Sequence, residues 1–220
     1  MSDYSQARTN MVDSQIHPNG VTMPALLQIF ESVPREVFLP DNLQSVAYND
    51  EDIALGEGRF MLEPSVHARM IQAAQPQPGD IALDIGCGTG YSTAVLSTMV
   101  STVVALESSD KLLTQARAHW TAMGVCNVVM IDHALKKGAP EQGPYNIIMF
   151  NGAVAQVPRD IVSQLAPDGR LIAVVKKPGN TMGEVTVARH LGEGRFASHS
   201  LFNAATPYLK GFEPTKSFSF

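Results

Sequence analysis

The chain has 220 residues and a mass of 23.7 kDa, room for one domain of usual size with an extension, or for two small ones. Apolar residues make up 45%, charged residues only 17%, and the 16 Lys+Arg against 21 Asp+Glu leave a net charge of -5. A mildly acidic chain without a basic run lacks the footprint of a nucleic-acid binder or a polybasic membrane patch.

The first 78 residues read as short helices among turn residues. Met11, Val12 and Ile16 share one helical face, and His17-Pro18-Asn19-Gly20 stops that segment. Thr22 is placed to cap a helix carrying Leu26, Leu27, Ile29 and Phe30, which Pro34 ends. Residues 48–63 show no period, and Gly56 and Gly58 break the stretch, so it reads as a loop. Pro64 opens another helix with Val66, Met70 and Ile71 on it, and Pro76 and Pro78 close it.

From residue 79 the texture changes. Strand patterns at 81–85, 102–106, 128–131, 145–150 and 170–175 alternate with helical patterns at 89–99, 110–123 and 158–165. Such alternation implies right-handed βαβ units and a parallel sheet. Two further strands, 183–191 and 195–204, follow with only Gly192-Glu193-Gly194 between them, a hairpin closing an α/β domain. The predicted organisation is a helical cap with an active-site loop over 1–78 and an α/β core over 79–220.

The two cysteines, Cys87 and Cys126, form no C-x-x-C pair and are expected to be reduced and partly buried. No apolar run approaches the roughly 20 residues of a membrane helix, and the opening MSDYSQARTN has no apolar signal region. The expectation is a cytoplasmic protein with neither membrane nor nucleic-acid partner. His119, His190 and His199 do not group at ligand spacings, so no metal is expected.

The chemistry concentrates at Asp84-Ile85-Gly86-Cys87-Gly88-Thr89-Gly90, where a strand ends and a helix begins. Glycines there let the backbone turn sharply and approach a ligand closely. Glu107 ends the next strand, where a carboxylate accepts both ribose hydroxyls of a nucleoside. A dinucleotide fingerprint needs a third glycine at position 91, which is Tyr. Asp84 inside the turn repels a phosphate but suits the cationic amino-acid end of S-adenosylmethionine (AdoMet). AdoMet binding is therefore favoured over dinucleotide binding and over a purely structural turn. Asp132-His133 ends the third core strand, where the carboxylate either accepts the adenine amino group or caps a helix. Tyr91 and Trp120 read as packing residues.

Several segments together resemble the protein-L-isoaspartate O-methyltransferase family over nearly the whole chain. They are MVDSQIHPNGV, VPREVFLP, YNDEDIALGEGRFMLEPSVHARM, LDIGCGTGY, PYNIIMFNGAVAQVP and QLAPDGRLIAVV. The glycine turn is common to many methyltransferases; residues 33–70 carry the resemblance more specifically. It implies a Rossmann-like class I methyltransferase fold, α/β, with a seven-stranded mostly parallel sheet, a C-terminal β-hairpin and an N-terminal helical cap. It implies AdoMet as methyl donor and the α-carboxylate of an L-isoaspartyl residue in a protein or peptide as acceptor. Residues implied at the cofactor are Phe60, Met61, His67, Asp84, Gly86, Gly88, Gly90, Glu107, Ser108, Asp132 and His133.

The chain departs from the family at G-Q-T-I-S-x-P, which here runs Gly58-Arg59-Phe60-Met61-Leu62-Glu63-Pro64. Leu62 stands at the serine beside the methyl-transfer site, and leucine donates no hydrogen bond. Arg59 stands at the glutamine, where a guanidinium fork is able to hold a carboxylate. Arg59 and Leu62 are thus the expected acceptor-site residues. The substitution leaves a different acceptor, or AdoMet binding without catalysis, as alternatives. Ala205-Thr206-Pro207-Tyr208-Leu209 also replaces the family's strand end near the cleft.

Overall fold

The computed structural model describes residues 4–192 and 194–215, so Glu193 of the expected hairpin turn lies outside the described residues. The chain begins with helix α1 (Ser5–Met11), which continues as a wider π-helical turn over Val12–Ile16. Met11, Val12 and Ile16 are all buried, as their shared face predicts. Helix α2 is Pro24–Ser32 with Met23 at its N-cap, one residue later than Thr22 suggests: Pro24 takes a first-turn position, where its missing N–H costs nothing. The Thr22 N–H instead donates to the Gln72 side chain at 2.7 Å.

Residues 48–63 are not a plain loop. Strands β1 (Ile53–Gly56) and β2 (Arg59–Met61) pair antiparallel there. Gly56, Glu57 and Gly58 turn the chain with φ of 84°, 54° and 72°. Helix α3 (Pro64–Ala74) follows and ends with Gln75 in the left-handed region.

The core then alternates through β3 (Ile81–Ile85), α4 (Tyr91–Ser97), β4 (Thr102–Glu107), α5 (Asp110–Ala122) and β5 (Val128–Asp132). It continues through β6 (Tyr145–Val154), α6 (Arg159–Val162), β7 (Leu165–Val175), β8 (Gly183–His190) and β9 (Phe196–Ala204). Helix α6 is only four residues long, because β7 claims Leu165 onward and pairs it with Tyr145. The seven-stranded sheet runs β5-β4-β3-β6-β7-β8-β9. Pairs from β5 through β7 are parallel, and β8 and β9 close the sheet antiparallel.

Successive residues of β3, β4 and β6 face opposite layers. Ala82, Val103, Ala105, Ile147 and Met149 join one core with the N-terminal helices, α3, α4 and α5. Leu83, Ile85, Val104, Leu106, Ile148 and Phe150 join the other with Leu135, Ile161, Leu209 and Phe212. The first core runs from Met11 to Ala204, so cap and sheet share one interior. The chain goes outward from β3 to β5, then returns to place β6 on the other side of β3. That reversal opens a crevice at the carboxyl ends of β3 and β6, the usual ligand position in open α/β sheets.

Candidate functional site

The crevice is floored by the turn after β3. Gly86, Gly88 and Gly90 have φ of 73°, 57° and 97°, conformations that side chains disfavour. A Cβ would also be crowded there. Built at Gly86 it would lie 2.8 Å from Leu209, at Gly88 2.8 Å from Leu55, and at Gly90 2.6 Å from Trp120. Trp120 is buried, and its indole N–H donates to the Gly90 carbonyl at 2.9 Å, so the packing residue also braces the turn.

Asp84 is fully buried at the carboxyl end of β3. Its carboxylate accepts from Ser92 Oγ at 2.9 Å, Thr93 Oγ1 at 2.6 Å and Asn151 Nδ2 at 2.6 Å. Burial pushes its pKa up, while the bonds from Thr93, Asn151 and Ser92 pull it back. Asp84 therefore ties the start of α4 and the end of β6 to the turn. Its lone pairs serve the protein rather than an open cleft.

Glu107 is also fully buried, and six hydrogen bonds converge on it. Backbone N–H groups of Gly88, Ser108 and Ser109 donate at 3.1, 2.7 and 3.0 Å. The other three come from Arg59: Nε at 3.1 and 2.9 Å, and Nη2 at 2.8 Å. Arg59 Nη2 also donates to Ser108 Oγ at 2.9 Å. Arg59, expected at the acceptor carboxylate, holds Glu107 instead in this arrangement. A carboxylate offers about four lone-pair sites, so Glu107 has none free in this arrangement.

The β1–β2 hairpin carries Arg59 across the crevice. Asp52 Oδ1 accepts the Glu63 N–H at 2.9 Å and closes the hairpin's neck. The Lys210 N–H approaches the Gly58 carbonyl at the tip at 3.4 Å. Just past β2, buried Arg35 donates to the Leu62 carbonyl at 2.9 Å and the Ala47 carbonyl at 2.8 Å, fixing Leu62 to the helical cap.

Leu62, Phe60, Met61 and His67 line one small enclosed cavity, with Thr89 on its wall. Its volume of about 10 Å³ is room for one water at most. Both His67 ring nitrogens and Thr89 Oγ1 lack hydrogen-bond partners among the described residues. Burial, helped by the Arg35 guanidinium, lowers the His67 pKa to about 3, so the imidazole is neutral at physiological pH. A second, open cavity of about 440 Å³ lies on the far side of the hairpin, lined by Arg59, Ser108, Ser109, Leu135 and Lys136. Asp132 and His133 sit exposed at the end of β5, beside Glu107 in the sheet register. A hydrogen bond with Asp110 raises the Asp132 pKa.

The structure thus gathers the sequence-predicted residues along one sheet edge. It adds three that sequence reading missed as site residues: Leu55, Leu209 and Trp120. Leu209 reaches the turn because its N–H donates to Ala153 at 2.8 Å and Ala153 N–H donates to Pro207 at 2.8 Å, docking the altered 205–209 segment on β6. Of the cysteines, Cys87 is buried and Cys126 is exposed, and both are free.

The chemistry of these groups fits a nucleoside sulfonium. A glycine cradle, a carboxylate positioned for vicinal hydroxyls and unpartnered polar atoms at His67 and Thr89 follow one another along the crevice. In this arrangement Leu55 and Arg59 stand across its middle.

Fold and crevice together define a class I methyltransferase architecture. The profile of Protein-L-isoaspartate(D-aspartate) O-methyltransferase matches residues 6–204. The chain belongs to that family. A Methylorubrum extorquens relative named protein-L-isoaspartate O-methyltransferase is 36% identical over 213 residues, covering 95% of this chain and 91% of its own. One of the same name from Aeropyrum pernix is 35% identical over 181 residues, 80% of this chain and 69% of its own. A solved structure described as protein-L-isoaspartate O-methyltransferase superposes with a TM-score of 0.80 at 24% identity, over 94% of this chain and 66% of that one. A Plasmodium falciparum structure of a protein-L-isoaspartate O-methyltransferase holding S-adenosyl-L-homocysteine gives 0.73 at 18% identity, over 92% and 98%. At these identities the two structures speak to the fold.

Proposed function

We propose that the chain is an AdoMet-dependent methyltransferase that esterifies the α-carboxylate of L-isoaspartyl residues in proteins or peptides. The single observation that carries the cofactor half is the cradle: three positive-φ glycines beside Glu107 at the switch point of the sheet. Family membership over residues 6–204 carries the acceptor half.

AdoMet supplies an activated methyl group on a sulfonium. The acceptor carboxylate is already ionised at neutral pH, so the protein needs no strong base. Its work is approach, alignment and exclusion of water. Phe60, Met61 and Leu62 give the crevice a dry wall. His67 stays neutral within that wall and adds no positive charge beside a sulfonium. Arg59, once off Glu107, is the cation available to orient an acceptor carboxylate. No helix among the described residues is long and apolar enough to cross a membrane.

Transfer of labelled methyl from AdoMet to an L-isoaspartyl peptide, with the aspartyl peptide as control, tests the reading. Base-labile label on the isoaspartyl peptide alone is expected. Labelling of other extract components but not of isoaspartyl peptides would transfer the reading to a different acceptor. Leu62 in place of the family's serine is the observation that keeps this second reading in view.

A further inference from the structure

Arg59 and the ribose of a nucleoside are chemically equivalent claimants on Glu107. A vicinal diol donates O–H groups to a carboxylate; the guanidinium donates N–H groups to the same two oxygens at 2.8–3.1 Å. The backbone donors from Gly88, Ser108 and Ser109 occupy what remains. The two claimants exclude one another.

The cavities say the same. Leu55 lines the enclosed pocket of about 10 Å³ beside His67 and Thr89, and Arg59 lines the open one of about 440 Å³ beside Ser108. The hairpin separates what would otherwise be one crevice along the carboxyl edge of β3 and β4. It is held there by the Lys210 N–H on the Gly58 carbonyl and by Arg59 on Glu107, and it has its own internal pairing, so it is able to lift as a unit about the Asp52–Glu63 neck.

We propose that Arg59 is an internal occupant of the ribose position, and that AdoMet enters by exchanging with it on Glu107 as the β1–β2 hairpin lifts. This inference rests on the AdoMet reading above. The affinity for AdoMet is then set partly by the closed hairpin, as expected when only a fraction of the protein is competent to bind.

Two binding measurements test it, both read by calorimetric titration with AdoMet and neither requiring turnover. Arg59→Gln, which installs the residue the family carries there, is expected to bind AdoMet at least tenfold more tightly than the wild type. Equal or weaker binding by this variant overturns the exchange. The second measurement locks the tip. A Cβ built at Gly58 lies 2.5 Å from the Cβ of Lys210, so a Gly58→Cys/Lys210→Cys pair needs only about an ångström of relaxation to reach disulfide geometry. The oxidised form is expected to lose AdoMet binding and regain it on reduction. An oxidised form that binds as well as the reduced one overturns the proposal. If the wild type methylates isoaspartyl peptide while both titrations show no difference, the exchange alone is wrong. If no form binds AdoMet, the exchange falls together with the cofactor reading.

Discussion

Replacing Leu62 with serine asks the crevice for the hydroxyl its relatives carry. Leu62 is 3% exposed, its carbonyl is held by Arg35, and its side chain walls the enclosed cavity. Truncating such a leucine costs about 2–5 kcal/mol. For a chain of 220 residues each kcal/mol is roughly 2–4 °C, so Leu62→Ser melts about 4–20 °C lower. The low end is expected, since the neutral His67 ring offers one unpartnered acceptor nitrogen and one unpartnered N–H donor in the same cavity to the new hydroxyl. Against that loss stands one hydrogen bond to a charged acceptor, worth about 1.5–3 kcal/mol, or roughly tenfold to a hundredfold in rate. The assay is initial-rate methyl transfer to an isoaspartyl peptide at saturating AdoMet, well below the variant's melting point, with Leu62→Ala as control. Alanine opens the same space without the hydroxyl. Serine is expected to exceed both alanine and wild type. A folded Leu62→Ser no faster than Leu62→Ala would refute the idea that the hydroxyl is the missing element.

Three further outcomes are expected. Because the His67 pKa falls to about 3 on folding from an ordinary value near 6.5, the unfolded chain binds the extra proton between those values. Its contribution to stability is therefore full above about pH 6.5 and declines as pH falls toward 3. Urea midpoints at pH 7 and pH 4.5 should show the wild type losing about 2–3 kcal/mol more than His67→Phe. Gly90→Ala combines φ of 97° with a Cβ 2.6 Å from Trp120, so a thermal melt should fall by roughly 5–10 °C. Gly124→Ala, at φ of 70° but with nothing within 4 Å, should fall by less than half as much. The melt of Arg170→Gln should drop further than that of Arg59→Gln, because Arg170 Nη2 bonds Asp80 at 2.8 Å from within interior strand β7.

Much of the core was legible because its physics is local. Strands β3, β4 and β5 begin where the β-branched runs begin, and the glycine turn marks the end of β3 without help from the rest of the chain. The hairpin of β8 and β9 was equally plain, since Gly192 and Gly194 flank its turn. The β1–β2 hairpin was hidden for the opposite reason. Its inward positions are Ile53, Arg59 and Met61, and an arginine only 3% exposed breaks the alternation that betrays a strand. What makes burial tolerable there is Glu107, 48 residues away, which no local pattern reveals. Leu55 and Leu209 were hidden likewise: each is an ordinary apolar residue until the fold lays it on a glycine.

The two buried arginine–carboxylate pairs at the sheet edges clarify what the Arg59–Glu107 contact is for. Burying an ion pair costs desolvation that its attraction barely repays, so neither pair is explained by stability alone. Arg170, at the amino edge, also donates to the Ala74 and Gln75 carbonyls and so ties the end of α3 to the sheet. It sits between β6 and β8 and cannot leave without breaking strand pairing. Arg59 instead stands on a two-stranded hairpin outside the main sheet, closed at its neck by its own hydrogen bond. Withdrawing it breaks no strand ladder. The backbone donors of Gly88, Ser108 and Ser109 remain on Glu107 after Arg59 departs, so the carboxylate is not stranded. A buried charge that keeps most of its partners while one leaves is suited to reversible exchange, and its position on the cofactor's carboxylate gives that exchange a purpose.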